Sequence, residues 1–224
     1  MRILVLDLHI AKYPSAALKI FNTVKPYYHG NLELIRLYSR AFSFQILSNY
    51  DGIILSGLDK SRLLYSGKMQ QLKSHLRQLE NNIQVLGICG GHQVLATIYG
   101  HPIHEIIPEV GWQTVKLTKT GKYDPLFHNM EEIICPFHHH NKAVVQVSEE
   151  KILAENERCI QAVRYRPSVR GVQFHPEYTF PNEVILQNKR HNQQVFERDN
   201  LWNRNQELFF RNFVSLCERP ALIS

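Results

Sequence analysis

Residues 2–7, 52–55 and 83–88 are short, nearly continuous apolar runs with little polar alternation. A strand that is apolar on both faces must be covered on both, which is the habit of central strands in a parallel sheet. Between the second and third runs, Met69, Leu72, Leu76 and Leu79 recur at three- and four-residue steps, with Lys73, Arg77 and Glu80 on the other side. That spacing predicts an amphipathic helix. Further helical patterns cover residues 14–21, 32–38 and 92–99, and residues 43–47 read as one more strand. Strand and helix alternate through the first half, so the expected fold class is α/β, an open, mostly parallel sheet flanked by helices.

The pattern changes in the middle of the chain. Residues 113–118, 132–135, 143–147, 152–153, 160–165 and 171–174 are short β-rich segments separated by turn residues, which predicts a small β-rich addition. The end is helical again, with Phe209, Phe213 and Leu216 on one face. No repeat, low-complexity linker or composition break divides residues 1–224, so one domain is expected. A chain of 224 residues, 44% hydrophobic and 21% charged, buries a core without help from disulfides or metal.

Charge and cysteine usage exclude several classes. The 26 Lys and Arg against 20 Asp and Glu give +6, but the basic residues are scattered along the chain. With no basic block, zinc-finger spacing or RNA-binding signature, the sequence speaks against nucleic acid. No apolar run approaches a membrane span, and the N-terminus reads as a strand, not a signal peptide. Cys89, Cys135, Cys159 and Cys217 are far apart and include no CxxC pair, so a cytoplasmic location is expected.

The most informative stretch is Gly87-Ile-Cys89-Gly-Gly-His-Gln93, at the end of an apolar strand and the start of a helix. This is a nucleophile elbow with cysteine in the serine position. A sharp strand-to-helix turn lifts the side chain above the sheet edge, and a thiolate there faces the positive end of the helix dipole. The N–H of Gly90 points toward an oxyanion formed at the same place. Alone, the stretch also suits a buried structural cysteine. A second motif, Gly171-Val-Gln-Phe-His175-Pro-Glu177, decides between these readings. Strand alternation puts His175 and Glu177 on one face, so Glu177 orients an imidazole that serves Cys89 as base and acid.

With both motifs in view, the chain resembles the class I (triad-type) glutamine amidotransferases, most closely the glutaminase domain of GMP synthase and its stand-alone relatives. Ile53-Ile-Leu-Ser-Gly57, the cysteine turn, Gly111-Trp112, the histidine motif and Leu208-Phe-Phe-Arg-Asn-Phe213 fall in family order. The resemblance implies a flavodoxin-like class I glutaminase fold and a thioester mechanism. In it Cys89 attacks the glutamine amide while His175 and Glu177 manage the protons. It also implies the backbone N–H of Leu58 as second oxyanion donor beside Gly90. Substrate contacts are implied at Gly57, Gln93, His139 and His140. No cofactor is implied. The ammonia acceptor is expected to be a separate synthase subunit, since no acceptor domain follows the last helix.

Three departures from the family pattern qualify this. The usual Ser-Gly-Gly-Pro turn reads Ser56-Gly57-Leu58-Asp59, and leucine resists the positive φ that glycine adopts freely. The usual Ser-His-x-Asp loses its aspartate to Lys142, or to Asn141 one residue earlier; lysine there repels an α-ammonium and favours an anion. A polar stretch at about residues 178–204 follows the histidine motif, suited to a lid or docking arm or to a solvated helix. Of the three consecutive histidines, His138 and His140 share a strand face and His139 does not. No further ligand is evident near that pair, so no metal is assigned. A free-standing γ-glutamyl amide or isopeptide hydrolase and a non-catalytic binding or regulatory relative stand as the alternatives.

Overall fold

The computed structural model describes residues 1–10, 16–179 and 199–218. Its centre is a parallel array. Strands β1 (Arg2–Asp7), β2 (Asn31–Arg36), β3 (Gly52–Leu55), β4 (Gln84–Ile88) and β11 (Val169–Val172) lie in the order β2-β1-β3-β4-β11. All four pairings among them are parallel. On the β11 side the sheet continues antiparallel through β10 (Ile160–Arg166), β9 (Ile152–Glu155), β6 (Val115–Leu117) and β7 (Ile133–Ile134). A separate two-stranded ribbon pairs β5 (Ile103–Trp112) with β8 (Phe137–Val144).

Alternate side chains of the parallel strands feed two cores. Ile3, Val5, Ile54, Leu86 and Ile88 meet helices α1 (Ala16–Val24) and α5 (Asp199–Glu218) on one face. Leu4, Leu6, Ile53, Leu55 and Val85 meet α2 (Gly67–Gln78) and α3 (Gly90–Ile98) on the other. Full burial of such a side chain contributes about 1.5–3 kcal/mol, which is why these strands are apolar at successive positions. A short helix, α4 (Lys119–Lys122), packs against β9. Among the described residues no helix is long and apolar enough to cross a membrane.

Two sequence expectations are corrected. Residues 32–38, read as helical, form most of edge strand β2. Leu32 and Ile35 mimic a helical step, but Glu33 between Leu32 and Leu34 is held sideways by Arg2 Nη2 at 2.8 Å and Tyr50 Oη at 2.9 Å. Residues 43–47, read as a strand, fall mainly in a 3₁₀ segment, Phe44–Asn49, whose one buried residue is Leu47. The β5–β8 ribbon is also longer than the sequence suggests. Pro108 sits where the register shifts between Glu105 and Glu109, a place where a strand tolerates a missing donor. Of the stretch expected at 178–204, residues 180–198 lie outside the described residues.

One buried charge cluster holds the antiparallel half against the centre. Arg164 and Arg170 are register partners on β10 and β11, a repulsive pairing alone. Asp124, 1% exposed, receives Arg170 Nε at 2.7 Å, Arg164 Nη1 at 3.2 Å and the Leu126 N–H at 3.0 Å. Asp124→Ala strands the buried Arg170 guanidinium, and the expected loss is about 3–5 kcal/mol in denaturant unfolding. A loss below about 1 kcal/mol would show that the two arginines do not depend on this carboxylate.

Candidate active site

The carboxyl edge of the parallel strands, where ligands bind in open α/β sheets, gathers every element singled out by the sequence. Cys89 stands between β4 and α3 with φ 49° and ψ −103°, a conformation that a side chain adopts only under strain. Two hydrogen bonds hold it there. Its N–H donates to the Val172 carbonyl of β11 at 2.8 Å, and its carbonyl accepts from Gln93 N at 3.1 Å. A Cβ on Gly91 would collide with the Leu55 carbonyl, so only glycine lets α3 sit this close to β3.

The turn after β3 lies against the same point. Ser56 Oγ accepts the Leu8 N–H at 3.0 Å and donates to the Gly57 carbonyl at 3.1 Å, which fixes the turn to the end of β1. A Cβ on Gly90 would strike the Leu58 nitrogen, so the Leu58 and Gly90 backbones are side by side. Gly90 opens α3, and its N–H has no intrahelical acceptor. The positive φ expected to trouble leucine does not arise, because Leu58 is not among the left-handed residues. This turn takes a shape that leucine accepts.

His175 and Glu177 meet, though not by strand alternation. β11 ends at Val172, and His175 is instead anchored by its N–H to the Phe137 carbonyl at 2.8 Å. Its Nδ1 lies 2.8 Å from Glu177 Oε1, with both side chains buried. Burial alone would push the imidazole toward neutrality. The Glu177 carboxylate and the Cys89 sulfur, which His175 also meets through a hydrogen bond, outweigh it and hold the pKa well above the usual histidine range.

A cavity of about 570 Å³ opens over these groups. Its lining includes Leu58, Cys89, Gly90, Gln93, His139 and His140, but not Gly57, which instead abuts the His175 ring. Gln93 Nε2 reaches the Lys142 carbonyl at 3.5 Å and Gln173 Oε1 at 3.4 Å. His139 is the exposed member of the triple histidine, while His138 and His140 turn inward. Lys60, Arg62 and Lys142 also line the cavity, against a single acidic residue, Asp59. Lys142 Nζ lies 3.4 Å from Glu105, its register partner on β5.

Sequence reasoning missed two supports. Gln173, fully buried, places Nε2 3.7 Å from the Cys89 sulfur while accepting from Gln93. Its position inside the histidine motif was the available signal. From α5, Gln206 Nε2 donates to the Pro176 carbonyl at 2.7 Å and Trp202 Nε1 to that of Tyr178 at 2.9 Å. These bonds pin the loop that carries Glu177, and nothing in the local sequence announces them.

The family model for glutamine amidotransferase class-I matches residues 17–191. The chain belongs to this family. It is 28% identical to the glutamine-hydrolyzing subunit of GMP synthase from Sulfolobus acidocaldarius, over 79% of this chain and 82% of that one. The corresponding protein of Sulfurisphaera tokodaii is 27% identical over 78% and 81%. Among solved structures, a glutamine amidotransferase from Methylobacillus flagellatus superposes with TM-score 0.72 at 15% identity, covering 100% of this chain and 98% of that one. One from Thermotoga maritima gives 0.66 at 16%, covering 97% and 99%. At such identities the likeness speaks for the α/β fold alone, and it agrees with the sheet described above.

Proposed function

We propose that this amidotransferase hydrolyses the glutamine side-chain amide through a Cys89 thioester and delivers the ammonia to a separate synthase subunit. The observation that carries this reading is the placement of Cys89 on a strained strand–helix turn, with the His175–Glu177 pair beside it and a cavity above. The Cys89 thiolate attacks the amide carbon, and the Gly90 and Leu58 N–H groups are the donors for the resulting oxyanion. Imidazolium His175 gives its proton to the leaving amine and ammonia departs. Neutral His175 then takes a proton from water, the hydroxide attacks the thioester, and glutamate leaves as the thiolate re-forms. The relatives are named as glutamine-hydrolyzing subunits of GMP synthase, which supports both glutamine as donor and a separately encoded partner.

A second reading, hydrolysis of another γ-glutamyl amide, draws support from the cavity wall. Three cations and one anion line it, so a substrate α-ammonium meets net repulsion there and a carboxylate meets attraction. The test is ammonia and glutamate release by purified protein from glutamine beside a γ-glutamyl amide panel. Glutamine hydrolysis is expected, with a high KM that Lys142→Asp lowers by roughly 10–100-fold, the worth of one charge-assisted contact. Glu105 is 79% exposed in its side chain, so its repulsion of the new carboxylate is screened. Hydrolysis of panel members with glutamine untouched would replace the first reading by the second.

A further inference from the structure

Behind the wall of the cavity, on the inner side of β8, four potential metal donors from three segments converge away from the Cys89 machinery. The β5–β8 register sets Glu109 directly opposite His140, and the turn between β9 and β10 brings Cys159 against the same carboxylate. The donor atoms of Glu109, His140 and Cys159 all lie within 4.8 Å of one another. We propose that Glu109, His140 and Cys159 bind a divalent cation of zinc type, with His138 as the adjacent fourth donor.

The spacings are those of a coordination shell. Zinc bonds of about 2.0–2.3 Å in a tetrahedron put ligand atoms about 3.4 Å apart. His140 Nε2 is 3.1 Å and Cys159 Sγ 3.4 Å from Glu109 Oε2. His138 Nδ1 is 3.3 Å from His140 Nε2 and 3.9 Å from Glu109 Oε2. A set of two imidazoles, one thiolate and one carboxylate suits zinc and discourages magnesium or calcium.

The orientation of His140 is an independent pointer. Its Nδ1 lies 3.1 Å from the Lys142 carbonyl, which only accepts, so that nitrogen carries the proton. In the neutral ring the Nε2 lone pair is then turned at a carboxylate oxygen, an arrangement that needs a cation between them. This is the way outer-shell carbonyls set metal-binding imidazoles. The carboxylate is oriented similarly, by Asn156 Nδ2 at 2.7 Å and Gln161 Nε2 at 2.8 Å. His138, fully buried, leaves its Nε2 without a hydrogen-bond partner. On loading, the cation displaces the Cys159 thiol proton and any second proton held on His140, and both go to solvent. The bound ion ties the β5–β8 ribbon to the main sheet and stiffens the strand that presents Asn141 and Lys142 to the cavity. The site is independent of the reaction proposed for Cys89.

The experiment is cobalt loading of the untagged full chain after chelator treatment, read by absorption, with zinc affinity then measured by chelator competition. One cobalt per chain is expected, with the visible intensity of a tetrahedral site and a thiolate charge-transfer band. That band should disappear in Cys159→Ser and persist in Cys89→Ala. Cys159→Ser should weaken zinc binding by more than about 100-fold, beyond the usual cost of losing an outer-shell partner. Glu109→Gln, which keeps the shape of the side chain, should weaken it too. Zinc should raise the melting temperature of the parent chain and not of the Cys159 variant. Three results would each overturn the site: absence of stoichiometric uptake, which leaves a protonated His140 paired with Glu109; a band that survives Cys159→Ser; or a band lost with Cys89, which puts the metal on the nucleophile.

Discussion

Cys89→Ala should abolish glutamine turnover, lowering kcat/KM by about 10⁶-fold, as removal of a nucleophile does in triad hydrolases. The sulfur supplies the bond that makes the reaction two easier steps, and no other described side chain in the cavity has comparable nucleophilicity. The fold should survive, because alanine keeps the Cβ and the loss is one partly exposed sulfur. The backbone at this turn offers a second readout. With φ 49° and ψ −103°, any residue bearing a Cβ is strained by about 1–3 kcal/mol, and glycine is not. Cys89→Gly should therefore be as inactive as Cys89→Ala yet more stable, by about 1 kcal/mol in denaturant unfolding. Glutamate release within tenfold of the parent by Cys89→Ala would mean that the nucleophile lies elsewhere. Equal stability of the two variants would mean that the turn is relaxed and not poised.

The elements most readable from sequence were those whose signal is local. The parallel strands are apolar at successive positions because both faces are covered, and the Cys89 turn requires glycines because α3 approaches β3 and β4 closely. Long-range placement was not legible in the same way. Leu32 and Ile35 are compatible with a helix or an edge strand, and the choice falls to Arg2 and Tyr50, which are remote in sequence and capture Glu33. The β5–β8 ribbon hides its period behind Pro108 and a register shift. Strand alternation could say that His138 and His140 share a face. It could not say that Glu109 faces His140 or that Cys159 arrives from another sheet, because register and inter-sheet packing are set by the whole fold. The same limit concealed Gln206 and Trp202, whose bonds to Pro176 and Tyr178 join the last helix to the histidine loop.

Glu177→Gln tests how that loop performs chemistry. The replacement is close in shape, and its amide oxygen still accepts from His175 Nδ1, so the ring stays near its place. What disappears is the negative charge. In serine triads the equivalent change costs about 10⁴ in kcat. A thiol needs less help to ionise than a hydroxyl, so a fall of roughly 10²–10³ in kcat/KM is expected here. The pH profile should move in a defined direction. Burial disfavours the imidazolium, and Glu177 with Cys89 overcomes it. Without Glu177, His175 loses its proton at lower pH, and the alkaline limb of kcat/KM moves down by about one unit or more. Stability follows the same sign. A histidine whose folded pKa is raised stabilises the fold fully below about pH 6.5, and the contribution fades as pH climbs through the raised value. Glu177→Gln should remove that contribution, so the parent's advantage is largest in mild acid and shrinks toward alkaline pH. Glu177→Asp separates charge from reach. The charge remains, so the alkaline limb should stay near the parent's, while the shorter side chain loses the 2.8 Å contact and kcat falls. An unmoved alkaline limb in Glu177→Gln, whatever its rate, would show that the carboxylate only props the ring and that the proton on His175 is governed by other groups.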